Sequence, residues 1–411
     1  MMNRNMIDYD IIGFASIALV SLMSLLMALR FKEIATIIFV ALTVRIIFIL
    51  IGHYIYPLPD STADAETFES LSSRLAADGF FNLINLYEGP STKFISWFIA
   101  VFYSLFGRSM LMAQSISLLL GIGCIFLAWN LAKKLWDKQT AKKVAWTTAL
   151  FPSLVLYSVL VMREVYFCFF LLIALNGVCD WVKQENLKSF ILAMSGFVGG
   201  VFFHGSMIVG SIVFLIFVAG VTLKKILISL INLRINFSKL LIFLIFLGLA
   251  QLYVTNKIKV SYLGGFKSLY KIEKYLITTD VATRGNASWP EWTKINSYTE
   301  ALYKAPLRSL YFVFAPFPWD VKDAKHFIGM FDSFFYMYFV YLIISNIKNI
   351  WRDPCLRTLL LILLAFIFVF GLGVGNFGTG IRHRSKFVII FILLAAPLIK
   401  KLTVFKKTIK N

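Results

Sequence analysis

The chain has 411 residues, of which 59% are apolar and only 15% charged, with a mean hydropathy of +0.79. Soluble domains carry about a quarter charged residues, so this composition excludes an ordinary soluble protein. The net charge of +20 invites a nucleic-acid reading, but the lysines fall in short segments between apolar runs, a pattern that sets membrane topology and meets anionic lipid.

The apolar runs approach the ~20 residues needed to cross a bilayer and lack the alternation of a membrane β-barrel. The sequence therefore predicts an all-α integral membrane protein, a single polytopic domain over 1–411. The first run, Ile11–Leu29, is read as a retained helix because no small-residue cleavage site follows it. Spans are predicted near 10–30, 34–57, 110–132, 144–161, 165–182, 189–203, 206–223, 240–256, 328–347, 357–375 and 386–400, about eleven in all. Residues 92–107 are short and tightly coupled to the next run, and are expected to form an interfacial or re-entrant helix.

Four basic segments, Lys133–Lys143, Lys224–Lys239, Asn346–Arg357 and Lys400–Asn411, go to the cytoplasm by the positive-inside rule. Parity then places the N-terminus and five polar features on the opposite, extracytoplasmic face. These are a first loop at 58–109, the Arg163-Glu164 pair, His204, a long loop at 257–327 and a basic loop at 376–386.

In the first loop, Ser61 and Asp64 resemble a capping box, and Phe68, Leu71 and Leu75 mark an apolar stripe that ends at Asp78-Gly79. Asp60, Asp64 and Glu66 would cluster at the positive end of a short amphipathic helix. They are either caps or carboxylates for general-base work or for a divalent cation. Arg163 and Glu164 interrupt two apolar runs, where an unpaired charge costs at least ~3 kcal/mol at membrane depth. They read as a structural ion pair or as a grip on an anionic or sugar ligand. His204 reads as a turn residue or a ligand contact. In the long loop, Arg284 is a further cation, and Trp289, Trp292 and Trp319 suit an interface belt or stacking against sugar rings. Cys124, Cys168, Cys179 and Cys355 lack metal-ligand spacing and read as buried thiols.

The most specific stretch is Gly375-NFGTGIRHRSK-Lys386, where Arg382, His383, Arg384 and Lys386 gather against the positive-inside bias. An anionic ligand explains that placement, and arginine supplies paired donors that match phosphate. Interfacial snorkelling is the alternative. A lipid-linked phosphate or diphosphate suits both the charge and the apolar setting.

These residues resemble the GT-C class of polytopic glycosyltransferases. Asp64-Ala-Glu66 is similar to that class's modified Asp-x-Asp motif, and Asp64-Ala-Glu-Thr-Phe68 to the Asp-x-x-x-Tyr run of bacterial members, with Phe68 in place of tyrosine. Phe151-Pro-Ser153 followed by Arg163-Glu164 is similar to a Pro-Ser…Glu run of the same group. The resemblance implies a GT-C-like helical bundle in a bacterial inner membrane, a polyprenyl-phosphate- or diphosphate-linked glycan as donor, and transfer at the extracytoplasmic face. Asp64 would assist the acceptor, with Asp60 and Glu66 beside it. Metal dependence varies within the class, so Mg or Mn on Asp64 and Glu66 stays open. Partners implied are membrane lipid and other polysaccharide-assembly proteins, with no nucleic acid. Two rival readings are an O-antigen or exopolysaccharide repeat-unit polymerase and a lipid-linked oligosaccharide flippase.

Overall fold

The computed structural model describes residues 10–87, 89–231, 287–322 and 324–399. The predicted span at 240–256, the basic tail, Arg284 and much of the long loop fall outside the described residues.

Seventeen helices are described. They begin with α1 (Ile11–Arg30), α2 (Ala35–Leu50), α3 (Glu66–Ala76), α4 (Phe80–Asn85), α5 (Phe94–Phe106) and α6 (Met110–Leu135). Next come α7 (Lys138–Leu150), α8 (Pro152–Tyr157), α9 (Arg163–Gln184), α10 (Leu187–Phe203) and α11 (Met207–Ile231). The last group is α12 (Tyr298–Phe314), α13 (Ala324–Ser345), α14 (Ile347–Arg352), α15 (Pro354–Gly373), α16 (Phe377–Ser385) and α17 (Val388–Ala395). Among the described residues, six helices are long and apolar enough to cross a membrane, and four more are apolar but shorter.

The core lies between α6, α9, α15 and α17, while α1 and α2 expose broad apolar faces such as Leu19, Leu22, Leu26 and Phe39. α17 is apolar on every side and wholly buried, which is how an all-round hydrophobic helix satisfies itself at the centre of a bundle. α9 and α10 approach closely through glycine: a side chain on Gly177 would collide with the Ala193 backbone, and one on Gly196 with Ala174. Small residues are how helices pack where lipid removes the hydrophobic drive between them.

Lys134 pairs with Asp180 at 2.7 Å, Lys138 with Glu33 at 3.7 Å and Lys225 with Glu185, and Cys355 Sγ approaches Cys179 O at 3.7 Å. These contacts gather three of the four basic segments at one end of the bundle. The acidic segment and α16 meet at the other end. α1 also starts there: Asp10 caps it through Gly13 N at 2.7 Å and accepts from Ser109 Oγ, next to the Arg108–Glu69 pair. All four cysteines are free and buried.

Several elements depart from the sequence reading. Residues 144–161 are not one continuous helix. α7 begins at Lys138, where Asp137 caps it, and stops at Phe151, whose extended backbone (φ −63°, ψ 122°) precedes Pro152. Proline restricts its predecessor in this way and has no N–H to continue the ladder. After α8, residues 158–162 run without regular structure yet are almost wholly buried. Irregular backbone at membrane depth is tolerated only inside protein or along a cavity. The short helix expected at 92–107 is α5, packed along α3. The long loop is not all loop, since α12 occupies 298–314, and most of the basic loop at 376–386 is the helix α16.

Three buried arginines close helix ends. Arg45 donates to Ala149 O at 2.8 Å and to Ser158 Oγ at 2.8 Å, closing α7. Arg308 donates to Thr293 O at 2.7 Å, Gly371 O at 3.1 Å, Leu372 O at 3.2 Å and Val374 O at 2.6 Å, closing α15. Arg384 donates to Val313 O and Ala315 O, both at 2.8 Å, closing α12. The last carbonyls of a helix have no partner of their own and carry the negative end of its dipole. A guanidinium meets both needs where water is scarce.

Candidate functional site

The site forms where the acidic segment, the start of α9, the α10–α11 turn and α16 converge. Glu69 anchors the first of these. Its carboxylate takes Arg108 through two bonds of 2.9 Å and Tyr103 Oη at 3.0 Å, fixing α3 to the corner between α5 and α6. Ahead of α3, residues 61–65 form one wide helical turn, with Ala63 outside helical geometry (φ −112°, ψ −106°). The capping box expected from Ser61 and Asp64 does not form: the Ser61 hydroxyl donates to Leu58 O at 2.7 Å, and Asp64 is engaged elsewhere.

Asp64 Oδ2 accepts from Arg382 Nη1 across 318 residues of sequence. Arg382 Nε lies 3.5 Å from Glu164 Oε1, and Lys386 Nζ lies 3.6 Å from the same oxygen. The Glu164 and Lys386 side chains are 2% and 0% exposed, against 43% for Asp64 and 18% for Arg382. Glu164 thus sits inside with two cations on it, and Asp64 approaches from the accessible side. Among the described residues neither Glu164 oxygen accepts a well-formed hydrogen bond, so its cations hold it as ion pairs.

Two histidines close the inner wall. His383 Nδ1 is 3.0 Å from Lys386 Nζ, and its ring lies edge-on to His204 at 5.3 Å. His204 is held by Ser206 Oγ at 2.8 Å from Nδ1. Burial, and then the charges of Lys386, Arg163 and Arg382, hold the His204 imidazole well below the ordinary histidine value; His383 is lowered chiefly by burial too. The Arg163 guanidinium stacks 5.2 Å from the centre of the Phe68 ring, so the residue standing where the resembled motif has tyrosine covers a cation.

Of the remaining expected residues, Asp60 is exposed, accepts from Tyr157 Oη at 2.8 Å, and has left-handed backbone at φ 62°. Glu66 is exposed at the head of α3. Arg384 lies apart from this group: beside its carbonyl bonds it meets Asp332 at 3.1 Å, Ser333 Oγ at 3.0 Å and the Tyr336 ring at 4.7 Å. Trp289 is buried under Arg308, while Trp292 and Trp319 are exposed. Sequence reasoning missed Tyr157; a tyrosine five residues beyond a proline, just before the charged Arg163-Glu164, was its only signal.

Among the described residues no group of three or more His, Cys, Asp or Glu gathers as metal ligands. Asp64 is turned onto a guanidinium, which repels a dication. The residues present suit an anion better than a metal.

Among the described residues, six long apolar helices make this a polytopic helical membrane protein in which an acidic first segment faces a late cationic helix. Residues 91–254, under half of the chain, match the dolichyl-phosphate-mannose-protein mannosyltransferase family. That match supports a GT-C-like polytopic glycosyltransferase. No curated protein and no solved structure matches the chain.

Proposed function

We propose that the protein moves a sugar from a polyprenyl-phosphate- or diphosphate-linked donor to an acceptor hydroxyl at the extracytoplasmic face of a bacterial inner membrane, in cell-surface polysaccharide biosynthesis. The observation that carries this reading is the meeting of Asp64 with Arg382, backed by Lys386 and Glu164. Arg382 and Lys386 neutralise the departing phosphate, with Arg163, His204 and His383 lining the apolar side. Asp64 takes the proton as the acceptor oxygen bonds to the anomeric carbon. The anomeric carbon–oxygen bond to phosphate breaks, and the phosphate leaves with that bond's electrons. Preorganised cations at a site poor in water stabilise such developing charge strongly.

The test is the glycan inventory of a deletion strain complemented with wild type, Asp64→Asn or Arg382→Gln. The transferase reading expects full-length chains lacking one sugar in the deletion and in both variants. A ladder collapsed to one repeat unit would make the protein a polymerase, and unaltered glycans would end both readings.

A further inference from the structure

We propose that Asp64 and the donor's phosphoryl group compete for Arg382, so that the Asp64–Arg382 ion pair is a resting latch that donor binding opens. The proposal rests on the reading of this site as a phosphate site and adds the order in which it is used.

Arg382 carries two carboxylates that differ in kind. Glu164 is buried, stands at the start of α9 in the core and also faces Lys386. It cannot withdraw without leaving buried charge uncompensated. Asp64 is 43% exposed and rides on a segment with left-handed backbone at Asp60 and non-helical geometry at Ala63. That segment is tied down by the Tyr157–Asp60 bond of 2.8 Å, so it can turn Asp64 away while staying in place. The donors are divided as well. Arg382 Nη1 bonds Asp64, whereas Nε is only within ion-pair range of Glu164 at 3.5 Å. A phosphoryl oxygen approaching from the accessible side meets the donor that Asp64 holds, and it offers guanidinium the same paired geometry as a carboxylate.

The latch has a chemical consequence. The resting pair fixes Asp64 through Oδ2 and leaves Oδ1 as an acceptor. Arrival of the phosphate frees the whole carboxylate to turn toward an acceptor hydroxyl, so donor binding orients the base.

The test is direct binding to the full chain purified in detergent. Farnesyl phosphate is the probe, farnesol the uncharged control, and inorganic phosphate runs in parallel. Asp64→Asn is expected to bind farnesyl phosphate on the order of tenfold more tightly than wild type. Asp64→Ser is expected to do the same and serves if the first variant does not fold. Arg382→Gln is expected to bind about tenfold more weakly, and adding Asp64→Asn to it should change nothing further. Binding that is equal or weaker in both Asp64 variants, with Arg382→Gln weakened, overturns the latch and leaves the phosphate site standing. Wild-type affinity in Arg382→Gln overturns the phosphate site itself. Farnesyl phosphate binding beyond that of inorganic phosphate supports the latch with a lipid headgroup as its key. Equal binding of the two, with the Asp64 effect present in both, supports it with the phosphoryl group alone as the key.

Discussion

Lys386 Nζ lies 3.6 Å from Glu164 Oε1, and the two side chains are 0% and 2% exposed. Glu164 has Arg382 as a second cation, but among the described residues Lys386 has no other carboxylate in ion-pair range, so removing Glu164 leaves it buried and unmatched. Glu164→Gln should therefore destabilise the protein by about 3–5 kcal/mol. Glu164→Gln with Lys386→Met should lose less than Glu164→Gln alone. Thermal unfolding in detergent reads both, and an unchanged midpoint for Glu164→Gln would show that the pair carries no such interdependence.

Arg382 and Arg384 are expected to fail in opposite ways. Arg384 meets Asp332, Ser333 and the last carbonyls of α12, so Arg384→Met should cost roughly 3–5 kcal/mol of stability. Farnesyl phosphate affinity of the folded fraction should barely move. Arg382→Gln should lower that affinity with a smaller shift in unfolding temperature. The reverse pattern would mean that the two roles are interchanged.

The Tyr157 hydroxyl donates to Asp60, whose left-handed backbone aspartate and asparagine tolerate better than most residues. Tyr157→Phe should lose about 1 kcal/mol from that one hydrogen bond. Asp60→Asn keeps both the acceptor and the backbone tolerance, and should be milder than Asp60→Ala. Parallel unfolding curves decide it: equal losses for the Asn and Ala variants would show that the bond does not hold the segment.

His204 and His383 should make the fold sensitive to acid. Burial holds both imidazoles well below the ordinary histidine value in the folded protein, whereas the unfolded chain takes up protons near pH ~6.5. Below that pH the unfolded state binds more protons, so stability falls as pH falls and is level above it. The unfolding temperature should be flat above pH ~7 and drop on acidification, and His383→Phe should flatten the drop. A wild-type midpoint that stays constant down to about pH 5 would contradict this.

How much of the site could be read from the sequence turns on helical geometry. Loop parity brought Asp64 and the Arg382 stretch to one end of the bundle, and there they touch. The four basic residues of that stretch looked like one cluster because they are close in sequence. On a helix, residues two apart point to nearly opposite sides while those four apart share a face. Arg382 and Lys386 accordingly meet Glu164 together, and Arg384 turns the other way to α12. A rotation of 100° per residue would have separated them beforehand. The break at 151–162 was harder to see, because an apolar run has the same composition whether its helix continues or stops. Arg45 and Arg308 were passed over for a different reason: the carbonyls they close belong to helices distant in sequence.

The unwound ribbon after α8 ties the end of α7 to the acidic segment and its cations as one unit. Ser158 accepts from Arg45, which shuts α7, while Tyr157 on one side of it and Glu164 on the other steady the acidic segment and its opposing cations. A chimera spliced between residues 151 and 164 would divide these duties between two parents. Such a hybrid would inherit a strut cut for one protein and an acid–cation cluster cut for another, so swaps that preserve the whole ribbon are the ones expected to work.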